Sequence, residues 1–359
     1  MGAGGSRGYE GRREVPVVLS RRGGPIVSGR RTPPALTLAA AILSLSTACG
    51  ARAPTVLRYA HMNARDSVAG IQADFFAERA AALSDGRIRI EVYPASSLGS
   101  LSEQLEMVRD RDVDIHHTTA GALGSLFEDF SVLDTPYLVS TPDRLMRIAD
   151  RDSPLMRRLG DGLEKASGLS VLYTFYFGAR QLTFDAPVLR PEDLAGARVR
   201  AIPFPMYELA VEALGGVPTP IDWNFTPTAL ATGLARGQEN PPDTILAAKL
   251  YQSQSYLMLT NHILGAQIVV VNRRTLSLLP KRDREALFAA GREAGAFATR
   301  SLVESEAEAI AALRDRGMRV VSEADGLDVA AFKARAARLV AERLGDRWVD
   351  YYALIDATP

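Results

Sequence analysis

From Lys281 to Arg316 the chain contains no proline, and Gly291 and Gly295 are its only glycines there. Proline and glycine are the residues that most often break a helix, so this stretch predicts one nearly uninterrupted helix. Its length exceeds that of an ordinary globular helix and the needs of one small domain. Such a helix fits a molecule with two lobes, both of which it can span. The chain of 359 residues is long enough for two domains.

The rest of the pattern alternates strand and helix. "TVLRYAHM" reads as a short strand. The helix "SVAGIQADFFAERAAAL" follows, with Val68, Ile71, Phe75 and Ala82 on its expected buried face. "RIRIEVYP" is a strand ended by Pro94. "SLSEQLEMVRD" opens with a capping box, Ser100 to Glu103, and is expected to bury Leu101, Leu105 and Val108. "VDIHH" is the next strand. This β-α-β-α-β order predicts parallel strands with crossover helices. A second set begins near residue 170 with the strands "LSVLYTFYF" and "ARVRAI", the helices "PMYELAVEAL" and "TPTALATGLA", and the apolar strand "HILGAQIVVVN". "MRVVS" and a helical region over 327–345 complete the chain. In "GLARGQENPPD" a short helix is expected to end in a polar turn stiffened by Pro241 and Pro242. The predicted class is α/β, with two lobes and a cleft between them. Ligands of such sheets bind outside the carboxyl ends of strands.

Residues 1–49 carry seven Arg, no Lys and two Glu, and 35–48 form an uncharged, mostly apolar run behind Arg30 and Arg31. This predicts an N-terminal extension and export signal. A true start near Val27 would account for the Arg-rich residues 1–26; a twin-arginine signal, "SGRRTPP", is the other reading. Cys49, the only cysteine, reads either as a lipid acceptor or as a residue beside an ordinary cleavage site. Ser46 stands where lipoprotein signals carry an aliphatic residue. Without residues 1–49 the chain has 35 basic and 40 acidic side chains, against 42 of each in the whole. A mildly acidic protein argues against nucleic acid as a partner.

No G-x-S-x-G, P-loop, H-E-x-x-H or G-x-G-x-x-G motif is present. His116 and His117 are adjacent on a strand and point to opposite faces, a poor arrangement for one metal. Polar residues do recur at strand ends. Arg180 follows an aromatic strand, and Arg200 lies in the apolar strand "ARVRAI" on the face it shares with Arg198. Each is open to two readings: a solvated edge residue, or a guanidinium presented to a carboxylate through two parallel charge-assisted bonds. Trp223 in "PIDWNF" is an aromatic wall or a core anchor.

"LGSLSEQLEMV" (98–108), "FEDFSVLDTPYLV" (127–139), "RQLTF" (180–184), "PEDLAGARVRAIPFPMY" (191–207), "GGVPTPI" (215–221), "GQENP" (237–241) and "LTNHI" (259–263) occur in this order. The series resembles the solute receptors of tripartite ATP-independent periplasmic (TRAP) transporters, of the DctP type, over nearly all of residues 55–345. The resemblance implies a periplasmic receptor that takes an organic acid from solution and delivers it to separate membrane permease subunits, with no cofactor and no catalysis. It implies that Arg200 pairs with the ligand carboxylate and that Arg180 helps hold it. It further implies that Asn240 faces the pocket with Glu239 beside it, and that Trp223 closes over the ligand. Asn63, Thr118 and Thr119 match first-lobe contacts, and Glu103 is a further candidate. The implied lobes are 54–177 plus 266–305 and 178–265 plus 306–359. The chain departs from the family pattern where Phe225, Pro227 and Ala231 replace the usual Glu, Tyr and Gln, which puts the familiar dicarboxylate and sialic-acid ligands in doubt. Two other classes remain: a receptor for another importer or sensor, and an exported carboxylate-processing enzyme with His61, His117 or Glu239 as its base.

Overall fold

The computed structural model describes residues 53–359. The expected signal and Cys49 lie outside the described residues. The strands are β1 (Thr55–Ala60), β2 (Ile88–Tyr93), β3 (Ile115–Thr119), β4 (Leu169–Phe184), β5 (Arg198–Ala201), β6 (Val217–Pro220), β7 (Gly237–Asn240), β8 (Tyr256–Asn272) and β9 (Arg319–Val321). They form one mixed sheet in the order β2-β1-β3-β8-β4-β7-β5-β6, with β9 beside β8. The parallel pairs β1–β2, β1–β3, β5–β6 and β5–β7 follow the predicted crossover rhythm.

Two long strands tie the halves together. β4 and β8 run antiparallel from Leu169 opposite Asn272 to Phe184 opposite Tyr256. β3 joins β8 at one end, and β7 joins β4 at the other. Each end of the β4–β8 ribbon therefore carries its own group of parallel strands. Between them Gly178 pairs with Gly265, at a register shift of β4. Gly178 has φ +111°, and a Cβ there would lie 2.6 Å from Pro241 Cβ, so only glycine lets that proline pack across the ribbon.

Each half has its own core. Tyr59, Phe76, Ile115, Phe130, Val269 and Leu287 belong to the larger cluster. Leu182, Val199, Val211, Met258 and Phe332 belong to a second. A third joins Met62 and Leu101 of the first half to Ile202, Phe204 and Tyr207 of the second, so the halves meet in apolar contact.

The long helix is present as Lys281–Asp315, about 52 Å at 1.5 Å per residue. It packs on β4, on helix Val68–Leu83 and, further along, on helix Pro242–Ala247. Its two glycines serve close approach: a Cβ at Gly291 would sit 2.5 Å from Tyr173, and one at Gly295 2.5 Å from Thr174 O.

Three expectations change. The buried face of helix Val68–Leu83 is Ala69, Gly70, Ala73, Phe76 and Ala80, while Ile71 is 45% exposed. Small side chains let this helix pack closely on the long one, and Phe75 stacks on Phe297 at the rim, centroids 4.8 Å apart. "GQEN" is strand β7, held by β4 and β5, and the preceding helix ends earlier, at Ala231. The C-terminal segment departs from the implied partition of 306–359. Trp348, Tyr351 and Ile355 are buried in the first core, and Asp129 accepts from Trp348 Nε1 (3.0 Å) and Tyr351 Oη (2.8 Å).

Candidate functional site

β5 lies between β7 and β6, so it is an interior strand. Arg198 and Arg200 share one face of it, but Arg198 stays exposed, where its Nη2 donates to Gly233 O, whereas Arg200 is covered by the neighbouring elements and buried to 2% exposure. The edge reading therefore fits Arg198 and fails for Arg200. Arg200 Nε donates to Ile221 O at 2.8 Å. Its guanidinium carbon stands 5.7 Å from the Trp223 ring centroid. Among the described residues no carboxylate forms an ion pair with it. Burial pulls its pKa down to about 10, against the supporting charges of Glu239 and Asp222 and with the opposing charge of Arg180. It stays a cation at neutral pH, desolvated and uncompensated, which is costly unless a ligand supplies the anion.

Arg180 is also buried, and it is paired. Its Nε donates to Glu239 Oε2, and its Nη2 donates to Glu239 Oε1 and O at 2.8 Å each and to Asn240 Oδ1 at 3.2 Å. The register that sets Leu182 opposite Glu239 brings these groups together. His262 on β8 approaches Glu239 Oε2 from the other side at 3.1 Å. Burial would raise the Glu239 carboxyl, but the Arg180 charge and the bonds from His262 and Arg180 hold it down to about 2. Glu239 thus stands behind Arg180, fully buried. Gln238 Nε2 donates to Thr183 Oγ1 (2.9 Å), and Gln238 Oε1 accepts from Asn240 Nδ2 (2.6 Å). These residues lock the orientation of Asn240.

The opposite wall comes from β1 and β3. His117 Nε2 lies 2.8 Å from Asn63 Oδ1, and His117 Nδ1 lies 2.8 Å from Tyr59 Oη. Burial, with His61 and His116 nearby, holds His117 well below the usual histidine range, so the ring is neutral. With Asn63 Oδ1 as the acceptor, the consistent tautomer carries its proton on Nε2 and leaves the Asn63 amide NH2 free to turn toward the cleft. His61 stacks on His117 with centroids 4.7 Å apart, and both His61 ring nitrogens are buried without a partner.

A cavity lies between these walls. Asn63, Thr119, Arg180, Arg200, Trp223 and Asn240 line it. Trp223, Asn63, Met62 and Thr244 also line an adjoining outer cavity, so Trp223 stands where the two meet. Three expected contacts do not line the cavity. Thr118 points to the other face of β3 from His117 and Thr119, as strand alternation requires. Glu239 is masked by Arg180. Glu103 completes the capping box, its Oε2 accepting from Ser100 N at 2.7 Å. The lining also includes His117, which the sequence offered only as a candidate base, and Asp222, Thr244 and Gln267, together with apolar Met62, Leu101, Phe177 and Ile202, whose place at the site sequence reasoning passed over. Gln267 had a signal: it is the only polar side chain in the run "ILGAQIVVV".

The histidines give a pH dependence. Burial lowers His61 to about 3 and His116 to about 4, and it lowers His117 and His262 as well. In the unfolded chain they take up protons near their ordinary value of about 6.5. Their contribution to stability is complete above that value and is lost as pH falls toward the folded values. Glu239 adds a loss below its ordinary 4.5, toward about 2. Asp134 and Glu306, raised by burial, oppose this at acid pH. The expected result is a melting temperature that falls as pH drops from 7 to 5.5, measured by calorimetry. A flat or rising profile contradicts the neutral buried histidines.

A sheet split into two halves by one antiparallel ribbon, with an unpaired guanidinium in the cleft, defines a two-lobed binding protein. Residues 59–344 match the DctP family, bacterial extracellular solute-binding protein family 7, and the chain belongs to that family. It is 30% identical over 311 residues to the C4-dicarboxylate-binding periplasmic protein DctP of Rhodobacter capsulatus, covering 85% of this chain and 92% of that protein. It is 29% identical to the sialic acid-binding periplasmic protein SiaP of Vibrio cholerae, covering 78% and 87% respectively. A solved TRAP periplasmic solute binding protein from Roseobacter denitrificans OCh 114, with bound L-galactonate, superposes with a TM-score of 0.78 at 26% identity, covering 84% of this chain and 98% of that one. The chain is thus a solute-binding receptor of two-lobed α/β fold. No described helix is long and apolar enough to cross a membrane.

Proposed function

We propose that this receptor binds an organic acid in the cleft, with the ligand carboxylate on Arg200, and delivers it to the permease subunits of a TRAP transporter. The observation that carries the reading is the Arg200 guanidinium: 2% exposed, lining the cavity, and bonded through Nε only to a backbone carbonyl. Its planar fork matches a carboxylate. The relatives named for C4-dicarboxylate, sialic acid and L-galactonate support an acid as the solute. Asn240, Asn63, Thr119 and Trp223 would supply further contacts. A micromolar affinity needs about 8 kcal/mol, and one bond to a charged group gives about 1.5–3 kcal/mol, so Arg200 is not sufficient alone.

The lobes we assign are 54–177 plus 266–305, and 178–265 plus 306–344. The ribbon glycines Gly178 and Gly265 stand at their junction, and the C-terminal segment returns to the first lobe. Binding without turnover is favoured because the candidate bases are occupied. Both Glu239 oxygens accept from Arg180 or face His262, His117 engages Asn63 and Tyr59, and His61 is fully buried. We place the protein in the periplasm, with Cys49 as a candidate lipid anchor.

A thermal-shift screen against a carboxylate library tests the function. A ligand at 100 times its Kd adds about 2.7 kcal/mol, and each kcal/mol raises Tm by roughly 2–4 °C in a domain of this size. At least one acid is expected to raise Tm by several degrees. If none does, the acid-receptor reading is wrong.

A further inference from the structure

Resting on the carboxylate-receptor reading, we propose that the solute is a monocarboxylate that also carries a hydrogen-bond donor, a hydroxyl or an ammonium group, received by Asp222. The charges of the cavity wall decide the first half. Two guanidinium groups line it, but Arg180 spends Nε and Nη2 on Glu239 and Asn240. Only Arg200 offers an uncommitted terminal pair of nitrogens, which matches one carboxylate. Apart from these two arginines no cation lines the cavity among the described residues: a second anionic group would meet neutral Asn63, Thr119 or Gln267, apolar Leu101 or Phe177, or the carboxylate of Asp222. None of these supplies the positive charge that offsets the desolvation of an anion.

Asp222 decides the second half. It lines the cavity, and among the described residues its side chain makes no hydrogen bond and no ion pair. It is not spent as a helix cap. Its backbone carbonyl accepts from Phe225 N at 3.1 Å and from Thr226 Oγ1 at 3.2 Å, which fixes the turn that carries it. It is close enough to Arg200 to support that residue's charge, without an ion pair between them. An ionised carboxylate can only accept hydrogen bonds. The wall therefore presents a forked donor and, beside it, a free acceptor. A carboxylate with a nearby hydroxyl or ammonium group satisfies both together, whereas a dicarboxylate leaves Asp222 facing a like charge.

The test is calorimetric titration of every acid that shifts Tm in the library, into the wild type, Asp222→Asn and Asp222→Ala. The library includes a matched set of 2-hydroxy-4-methylpentanoate, leucine, 4-methylpentanoate and 2-isobutylsuccinate. The tightest-binding acid is expected to have one carboxylate and a donor group, and to bind at least about tenfold tighter than its donor-free parent, the effect of one bond to a charged group. In Asp222→Ala that preference shrinks to within about threefold, and in Asp222→Asn the dicarboxylates gain relative to the wild type. A tightest ligand that is a dicarboxylate, or that lacks a donor, overturns this inference and leaves the receptor reading intact. An unchanged preference in Asp222→Ala also overturns it. If no acid binds at all, the receptor reading itself falls.

Discussion

Arg200→Lys is expected to fold normally and to lose at least about 2 kcal/mol of affinity for the acid, roughly 30-fold. Lysine keeps the charge but is a point donor, so it cannot make two parallel bonds to a carboxylate. It also loses the anchor to Ile221 O that sets the direction of the guanidinium. Stability should change little, because Arg200 forms no ion pair among the described residues and lysine keeps the single buried cation, so that only the bond to Ile221 O is lost. Calorimetric titration and a melting curve on one preparation separate the two effects. Near-native affinity in the lysine variant contradicts the assignment of the anion to Arg200.

Glu239→Gln is expected to have the largest effect on the fold. Glu239 and Arg180 are buried to 0% and 1% exposure. Taking the charge from one partner leaves the other desolvated and unpaired, at a cost of about 3–5 kcal/mol. At roughly 2–4 °C per kcal/mol that lowers Tm by about 6–20 °C. The one glutamine oxygen can then accept from Arg180 or from His262 but does not replace both carboxylate oxygens, and Asn240, held by Arg180 and Gln238, loses part of its orientation. Replacing both charges, as Arg180→Met with Glu239→Leu, should recover much of the loss, because apolar substitutes remove the desolvation penalty along with the attraction. A Glu239→Gln variant as stable as the wild type would show that Arg180 is compensated elsewhere.

Local signals carried much of the fold. The long helix was legible because its breakers are absent, and its two glycines were visible as interruptions, though not as contact points for Tyr173 and Thr174. The capping box at Ser100 was legible because both partners lie three residues apart. β7 was not. Four residues between a glycine and a proline carry little pattern, and their strand character comes from β4, more than fifty residues away. The same distance hid the role of Glu239: a lone carboxylate in "GQENP" gives no hint that it faces Arg180 across a ladder. Arg200 and Arg198 share one strand face and differ only in which one the neighbouring elements cover. Thr118 and Thr119 could have been separated by alternation alone, once His117 was placed toward the cleft. Asp222 went unnoticed beside Trp223, because nothing local distinguishes a free carboxylate from a cap.

The most direct measurement is a crystal structure of the protein with the tightest-binding acid from the screen. The account predicts a carboxylate with both oxygens within hydrogen-bond distance of the Arg200 terminal nitrogens, Trp223 against the ligand body, and Glu239 still paired with Arg180. A carboxylate held elsewhere, with Arg200 making no contact to it, contradicts the central claim.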